Sequence, residues 1–274
     1  MEKFAKQIRL ETLKELLNLG FGHYGGSLSI VETLAVLYGK HMNIDPENPK
    51  ARDRDFFVLS KGHGGPAVYA TLALKGFFPM EMLNTLNQNG THLPSHTDCN
   101  LTPGVDMTTG SLGQGISAAT GIAYYHKAKK LPNRVFCIVG DGELNEGQCW
   151  ESFQFMAHND LSNMIVFVDD NKKQLDGTTE EVCKTFDYVE KMTAFGLYSI
   201  RVDGRDVNAI DKGIEECLAQ NRPSVIILDT VKGQGVPHIE QMKANHHVRP
   251  SAEDEAAVRQ VVRELEEELE NGNA

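Results

Sequence analysis

The sequence predicts an α/β fold, a parallel sheet with helices on both faces, and three observations carry it. Apolar runs of strand length at residues 134–139, 164–168, 198–202 and 224–228 alternate with stretches of helical periodicity. The first two runs are apolar at nearly every position, as strands buried on both faces of a parallel sheet are. Both close on turn-forming residues, Gly140-Asp141-Gly142 and Asp169-Asp170-Asn171.

Ile8, Leu10, Leu13, Leu16 and Leu17 place a first helix that stops at Gly20, a residue suited to a helix C-terminus. Helical spacing over 28–37 follows Ser27, which reads as its N-cap. Residues 56–59 form a short strand, broken by Ser60-Lys61-Gly62-His63-Gly64-Gly65; a helix follows over 67–75, and Pro79 opens another. Residues 89–113 carry Pro94, Pro103, Gly104 and Gly110 with little periodicity, a long loop of the kind that serves function. Helices over 115–130, 146–158 and 207–218 then separate the apolar strands. The last helix, 252–270, sets Val258, Val261, Val262, Leu265 and Leu269 on one face. No linker or repeat divides the chain, so 1–274 reads as one domain, with 251–274 an acidic C-terminal helix and tail.

With 274 residues, 41% hydrophobic and 24% charged, the chain has the composition of a globular protein large enough for a sizeable core. Its formal net charge of −11 argues against a nucleic-acid surface, which needs basic residues to displace counterions. Eight acidic residues against two arginines over 253–274 account for −6 of it, leaving −5 for everything before. Five cysteines, odd in number and never spaced as CxxC, read as reduced thiols. The charged N-terminus reads as an amphipathic helix and not a signal peptide, and no apolar run reaches membrane-spanning length. A cytoplasmic protein with no membrane or nucleic-acid partner is the expectation.

Ligands of open parallel sheets sit beyond the carboxyl ends of the strands. There one strand offers Asp141 and, thirty residues on, the next offers Asn171. Adjacent strand ends lie about 5 Å apart, which places the two to share one hard cation. A phosphate would supply further oxygens, and Gly142 lets backbone approach it. An Asp-Gly turn alone carries no such meaning; the pairing of two strand ends does. His23, His63 and His96 lie in separate loops flanked by glycine or proline, and His246-His247 stand near the end. His92 and His96 have the spacing of a zinc pair, but Pro94 lies between them and no further ligand completes a set. His41, His126 and His158 read as helix-surface residues. Gly113-Gln114-Gly115 with Ala118 fits a GxGxxA fingerprint, yet no strand precedes it, so a nicotinamide site is weakly supported.

Six blocks hold these residues: GHYGGSLSIVETLAVLY, DRDFFVLSKGHGGPA, GVDMTTGSLGQGIS, GDGELNEGQCWES, DDNKKQLDG and TVKGQGV. Their order over residues 16–250 resembles the N-terminal domain of transketolases. The resemblance implies a thiamine-diphosphate-binding (PP-type) domain, with Mg²⁺ or another divalent cation such as Ca²⁺ or Mn²⁺ holding the diphosphate. Asp141 and Asn171 match the metal-ligand positions, and Lys173 matches the position that gives a main-chain carbonyl. Gly142 and His63 match diphosphate contacts. Gly110, Ser111 and Leu112 match the loop whose backbone lies against the cofactor. His23, His96 and His246 match histidines lining the sugar channel and, with His63, are the groups expected to exchange protons near neutral pH. Glu146 matches an acidic residue that links cofactor sites across the dimer. Two departures stand out. Phe21-Gly22-His23-Tyr24-Gly25 replaces the usual Ser-Gly-His-Pro-Gly, and Asn245-His246-His247 replaces Trp-His, so His247 stays open as the alternative to His246.

The implied activity is transfer of a two-carbon ketol unit from a ketose (phosphate) to an aldose (phosphate), in carbohydrate metabolism of the pentose phosphate kind. Transketolases have two further domains, which supply the glutamate that activates the aminopyrimidine and most sugar-phosphate contacts. The chain is therefore expected to be the N-terminal subunit of a split transketolase, inert alone and active with a C-terminal subunit in an α2β2 heterotetramer. The alternatives are the equivalent subunit of another thiamine enzyme, a 2-oxo-acid dehydrogenase or a deoxyxylulose-phosphate synthase, and a non-catalytic cofactor-binding subunit.

Overall fold

The computed structural model describes residues 1–175 and 177–272; Asp176, in the DDNKKQLDG block, and the terminal Asn273 and Ala274 lie outside the described residues. Strands β1 (Phe56–Leu59), β2 (Val135–Gly140), β3 (Met164–Asp170), β4 (Tyr198–Asp203) and β5 (Ser224–Asp229) pair in parallel, in the order β1-β2-β3-β5-β4. Every residue of β2 and β3 is buried, which is why their sequences lack polar alternation. Side chains still alternate between the two faces. Phe136 and Ile138 join one core, and Val135, Cys137 and Val139 join the other.

The first core is covered by α1 (Glu2–Leu19), α2 (Tyr24–Leu28), α3 (Val31–Val36), α4 (Gly65–Leu74) and, further along the chain, a long helix over residues 207–220. The second is covered by α5 (Gln114–Ala128), α6 (Gly147–His158) and, after the short α7 (Thr179–Val182), by α8 (Tyr188–Ala194). The helix over residues 207–220 is α9 (Val207–Gln220); α10 (Pro237–Gln241) and α11 (Ala252–Asn271) complete the chain. Helix α11 lies along α1: it buries Val258 and Leu265, while Lys6 and Lys14 reach Glu268 and Glu266 at 2.9 Å each. Its acidic side therefore has cationic neighbours as well as water. Residues 89–113 form no helix or strand.

Several local expectations are corrected. Ser27 caps nothing: it is buried inside α2, because Tyr24 to Leu28 coil earlier in the chain than the apolar spacing suggests. Pro79 precedes a 3-10 turn (Met80–Thr85) and not an α-helix. His41 and His126 are not surface residues. The His41 ring meets Asp211 at 2.6 Å, and His126 is buried with its Nδ1 against the Ile122 carbonyl at 2.8 Å. Among the described residues no helix is long and apolar enough to cross a membrane.

One buried polar cluster fixes the loop that follows β5. Arg9 on α1 donates to Glu32 on α3 at 2.6 Å, and Gln234 donates to the other oxygen of Glu32 at 2.6 Å. The Arg9 Nε also donates to the Gln234 carbonyl at 3.2 Å. A charged pair with both partners hydrogen-bonded tolerates burial, and here it orients the segment carrying Lys232.

Candidate active site

The carboxyl ends of β1, β2 and β3 and the loop after β5 meet in one pocket of about 230 Å³. The parallel register pairs Gly140 with Asp169, so the chain leaves β2 at Asp141 directly beside the end of β3. Asp141 accepts from the Gly142 N–H at 2.7 Å and from the Lys172 N–H at 2.8 Å. Burial, reinforced by the nearby Asp169 and Asp170, pushes its carboxyl up to about 7. It is thus a buried acid short of positive charge.

The neighbouring Asp169 is in the opposite condition. Lys61, at the end of β1, donates to Asp169 at 2.5 Å and to the Gly26 carbonyl at 2.6 Å. Burial alone would raise the Asp169 carboxyl, but the Lys61 ammonium and hydroxyl donors on Thr230 and Ser29 hold it below its ordinary value. The Asn171 amide N–H₂ donates to Asp169 at 2.9 Å, which fixes the Asn171 side chain so that its oxygen points away from Asp169. The Lys173 carbonyl accepts from the Lys232 ammonium at 3.1 Å, and burial lowers that ammonium to about 8.

Asp141, Asn171 and the Lys173 carbonyl make an oxygen-only donor set, which suits a hard divalent cation. The residues fit such an ion: the carboxylate is under-compensated, and the carbonyl already faces a cationic group. Among the described residues no three His, Cys, Asp or Glu side chains converge as a metal cluster. A cation here would draw its remaining ligands from a bound oxyanion and water.

Above this floor five imidazoles assemble from separate loops. The His23 ring lies 5.8 Å from His63, 5.2 Å from His96, 5.4 Å from His246 and 4.9 Å from His247, centroid to centroid. His63 and His246 are 4.7 Å apart. Two glycines make this density possible. A Cβ on Gly26 would stand 2.6 Å from the His63 ring, and Gly110, at φ +146°, presses its backbone against His96. Four of these rings are held below the ordinary imidazole value. Burial first, then mutual repulsion and Lys232, lower His23 to about 3, while burial and the Lys232 charge lower His246 to about 4. His63 and His96 are also lowered by burial. Near pH 7 His23, His63, His96 and His246 are neutral rings that offer one donor and one acceptor each, and the Nδ1 of His246 is buried without a partner.

Of the expected residues, His63, His96, Gly110, Leu112, Asp141, Gly142, Asn171, Lys173 and His246 line the pocket, and His23 stands against it. Ser111 and Glu146 are exposed beside it. Three charged pocket residues escaped the sequence reading, Lys61, Lys232 and Glu143, as did Gln174 and Leu175. Glu143 accepts from Ser60 at 2.5 Å, from the Gly113 N–H at 2.8 Å and from the Gly140 N–H at 3.0 Å, so it pins three loops together. The available signal was its place directly after Gly140-Asp141-Gly142.

A family model described as transketolase, thiamine diphosphate binding domain, matches residues 1–266. The chain is 49% identical over 265 residues to 6-deoxy-6-sulfo-D-fructose transketolase subunit SqwG of Clostridium sp. (strain MSTE9), covering 96% of this chain and 95% of that one. It is 37% identical to one of the subunits of apulose-4-phosphate transketolase from Phocaeicola vulgatus, over 92% of this chain and 90% of that one. The solved transketolase of Leishmania mexicana superposes with a TM-score of 0.86 at 29% identity, covering 98% of this chain and 45% of that chain. The chain thus spans less than half the length of that solved enzyme, and nearly the full length of relatives named as subunits. By the extent of these matches the chain belongs to the transketolase family, and the histidine-lined pocket lies in its thiamine diphosphate-binding domain.

Proposed function

We infer that this chain, a single domain over 1–274, is the cofactor-binding subunit of a two-chain transketolase. With a C-terminal subunit, as α2β2, it moves a two-carbon ketol unit from a ketose to an aldose in the cytoplasm. The observation that carries this reading is the oxygen donor set of Asp141, Asn171 and Lys173 directly beneath a cage of neutral histidines. That is a floor for a metal-bound diphosphate and walls for a polyhydroxylated substrate. Family membership supports the transferase class, and two relatives of matching length carry the word subunit in their names. Those names attach a sulfonate- and a phosphate-bearing sugar to the relatives, which favours a substrate with a terminal anionic group here as well. A pocket of about 230 Å³ falls below the range of about 300–1,000 Å³ that encloses a whole ligand, as a half-site would.

When bound, thiamine diphosphate supplies an electron sink for cleaving and forming the carbon–carbon bond. The residues of this chain bind and orient. Asp141, Asn171 and the Lys173 carbonyl would hold Mg²⁺ or a similar divalent ion, with Gly142 and His63 against the diphosphate. The backbone of Gly110, Ser111 and Leu112 would lie along the cofactor, and Glu146 would face the partner subunits. His23, His96 and His246 hold sugar hydroxyls as neutral rings, and a ring that takes a proton there becomes an imidazolium that burial drives to pass it on.

The test is reconstitution with the partner subunit, thiamine diphosphate and Mg²⁺. Ketol transfer is expected on mixing and none from this chain alone. Full turnover by the isolated chain, or consumption of pyruvate without ketol transfer, would refute the proposal.

A further inference from the structure

We propose that Phe21, His247 and Arg249 form the outer lip of the substrate channel, with Arg249 receiving the terminal anionic group, phosphate or sulfonate, of the sugar. This rests on the transketolase reading above and names the end of the substrate that this chain itself recognises.

The lip is a two-stranded ribbon. Gly22 and Val248 exchange both backbone hydrogen bonds, at 2.9 and 2.8 Å, as an antiparallel bridge, and the Gly25 N–H donates to the Asn245 carbonyl at 3.0 Å. In such a register the residues flanking the bridge stand opposite one another, on the same face. Phe21 therefore faces Arg249, and His23 faces His247. The side chains agree: the Arg249 guanidinium carbon lies 5.6 Å from the Phe21 ring centre, and the His23 and His247 rings are 4.9 Å apart. Val248 points the other way and is buried, so the ribbon is anchored in the core.

Phe21 and His247, one from each of the two segments that depart from the usual transketolase pattern, are thus neighbours, 5.7 Å apart across this ribbon. From there the rings step inward, His247 to His23 to His246 to His63, each within 5.4 Å of the next, until they line the main pocket. The inner rings are neutral, and the Lys232 ammonium in the pocket is engaged by the Lys173 carbonyl at the cofactor floor. Arg249 is exposed, and among the described residues no hydrogen bond or ion pair engages it. The Phe21 contact holds the guanidinium without consuming its N–H donors, which match a phosphate or sulfonate in a fork.

The experiment compares Arg249→Ala and Arg249→Lys in the reconstituted enzyme. The sugar donors are fructose 6-phosphate, 6-deoxy-6-sulfofructose and the neutral ketose L-erythrulose. Arg249→Ala is expected to raise the KM ratio of anionic to neutral donor by about tenfold or more, the scale of one charge-assisted contact, with kcat much less affected. Arg249→Lys should recover part of the loss. The anion whose KM moves further identifies the group the lip is built for. Equal changes for charged and neutral donors, or none, overturn the assignment while leaving the transketolase reading in place. Absence of ketol transfer by the unmodified assembly overturns that reading and the lip with it.

Discussion

Lys61 and Asp169 meet Nζ to Oδ2 at 2.5 Å, with neither side chain more than 1% exposed. The pair ties the end of β1 to the end of β3 across the intervening β2, so the pocket floor cannot spread. Breaking a buried pair from one side strands a charge without solvent. Lys61→Met is therefore expected to cost about 3–5 kcal/mol in urea unfolding. The double substitution Lys61→Met with Asp169→Asn, which removes both charges, should recover much of that. A single-mutant loss below about 1 kcal/mol would show that water or another cation reaches Asp169.

Glu15 presents the contrary case. It is 1% exposed on α1, and neither carboxylate oxygen has a hydrogen-bond partner. Burial, with Glu11 nearby, raises its carboxyl well above the ordinary 4.5. A raised folded value means that its contribution to stability is intact below pH 4.5 and is lost as pH rises through the folded value. Glu15→Met should stabilise the fold by about 1–3 kcal/mol at pH 8, by removing unsatisfied oxygens, and by less at pH 5. Thermal melts at the two pH values check both size and trend; an advantage that shrinks with rising pH would contradict it.

The histidine cage has the opposite pH signature. His23 and His246 sit near 3 and 4 in the folded chain, against about 6.5 in an unfolded one. Between those values the unfolded chain binds more protons, so stability falls as pH drops below about 6.5, by at most about 1.4 kcal/mol per unit per ring. His23→Asn should flatten denaturant midpoints measured between pH 7 and 5. An unaltered slope would mean that the ring is protonated in the native pocket.

The strand ends were legible because glycine and aspartate interrupt runs of buried apolar residues, and a sheet then brings Asp141 and Asn171 together by register alone. His23, His63 and His96 were legible as a set, since glycine or proline flanks them in the chain. Their charge state was not, because it depends on rings from residues 23, 63, 96, 246 and 247 crowding each other. Lys61 and Lys232 each stand before a glycine, with nothing in the local sequence to mark them as buried. Their burial depends on acceptors far away in sequence, Asp169 lying 108 residues from Lys61. Helices α7, α8 and α10 are too short to show a period, and α2 forms early because Gly26 lets it pack beneath His63.

Asp141 offers the sharpest test, because its substitution should separate folding from function. In the metal-free chain it is a buried carboxylate raised to about 7 by burial and by Asp169 and Asp170. Asp141→Ala relieves that repulsion, which offsets the acceptor lost to the Gly142 and Lys172 N–H groups. Its unfolding midpoint without cofactor should therefore stay close to that of the parent chain. The same change deletes the one carboxylate of the oxygen donor set, and the diphosphate then meets a floor without its cation. Calorimetry on the reconstituted enzyme should show Mg²⁺-dependent thiamine diphosphate binding lost in Asp141→Ala, as chelation abolishes it in the parent. Retained affinity with a normal fold would remove Asp141 from the metal site.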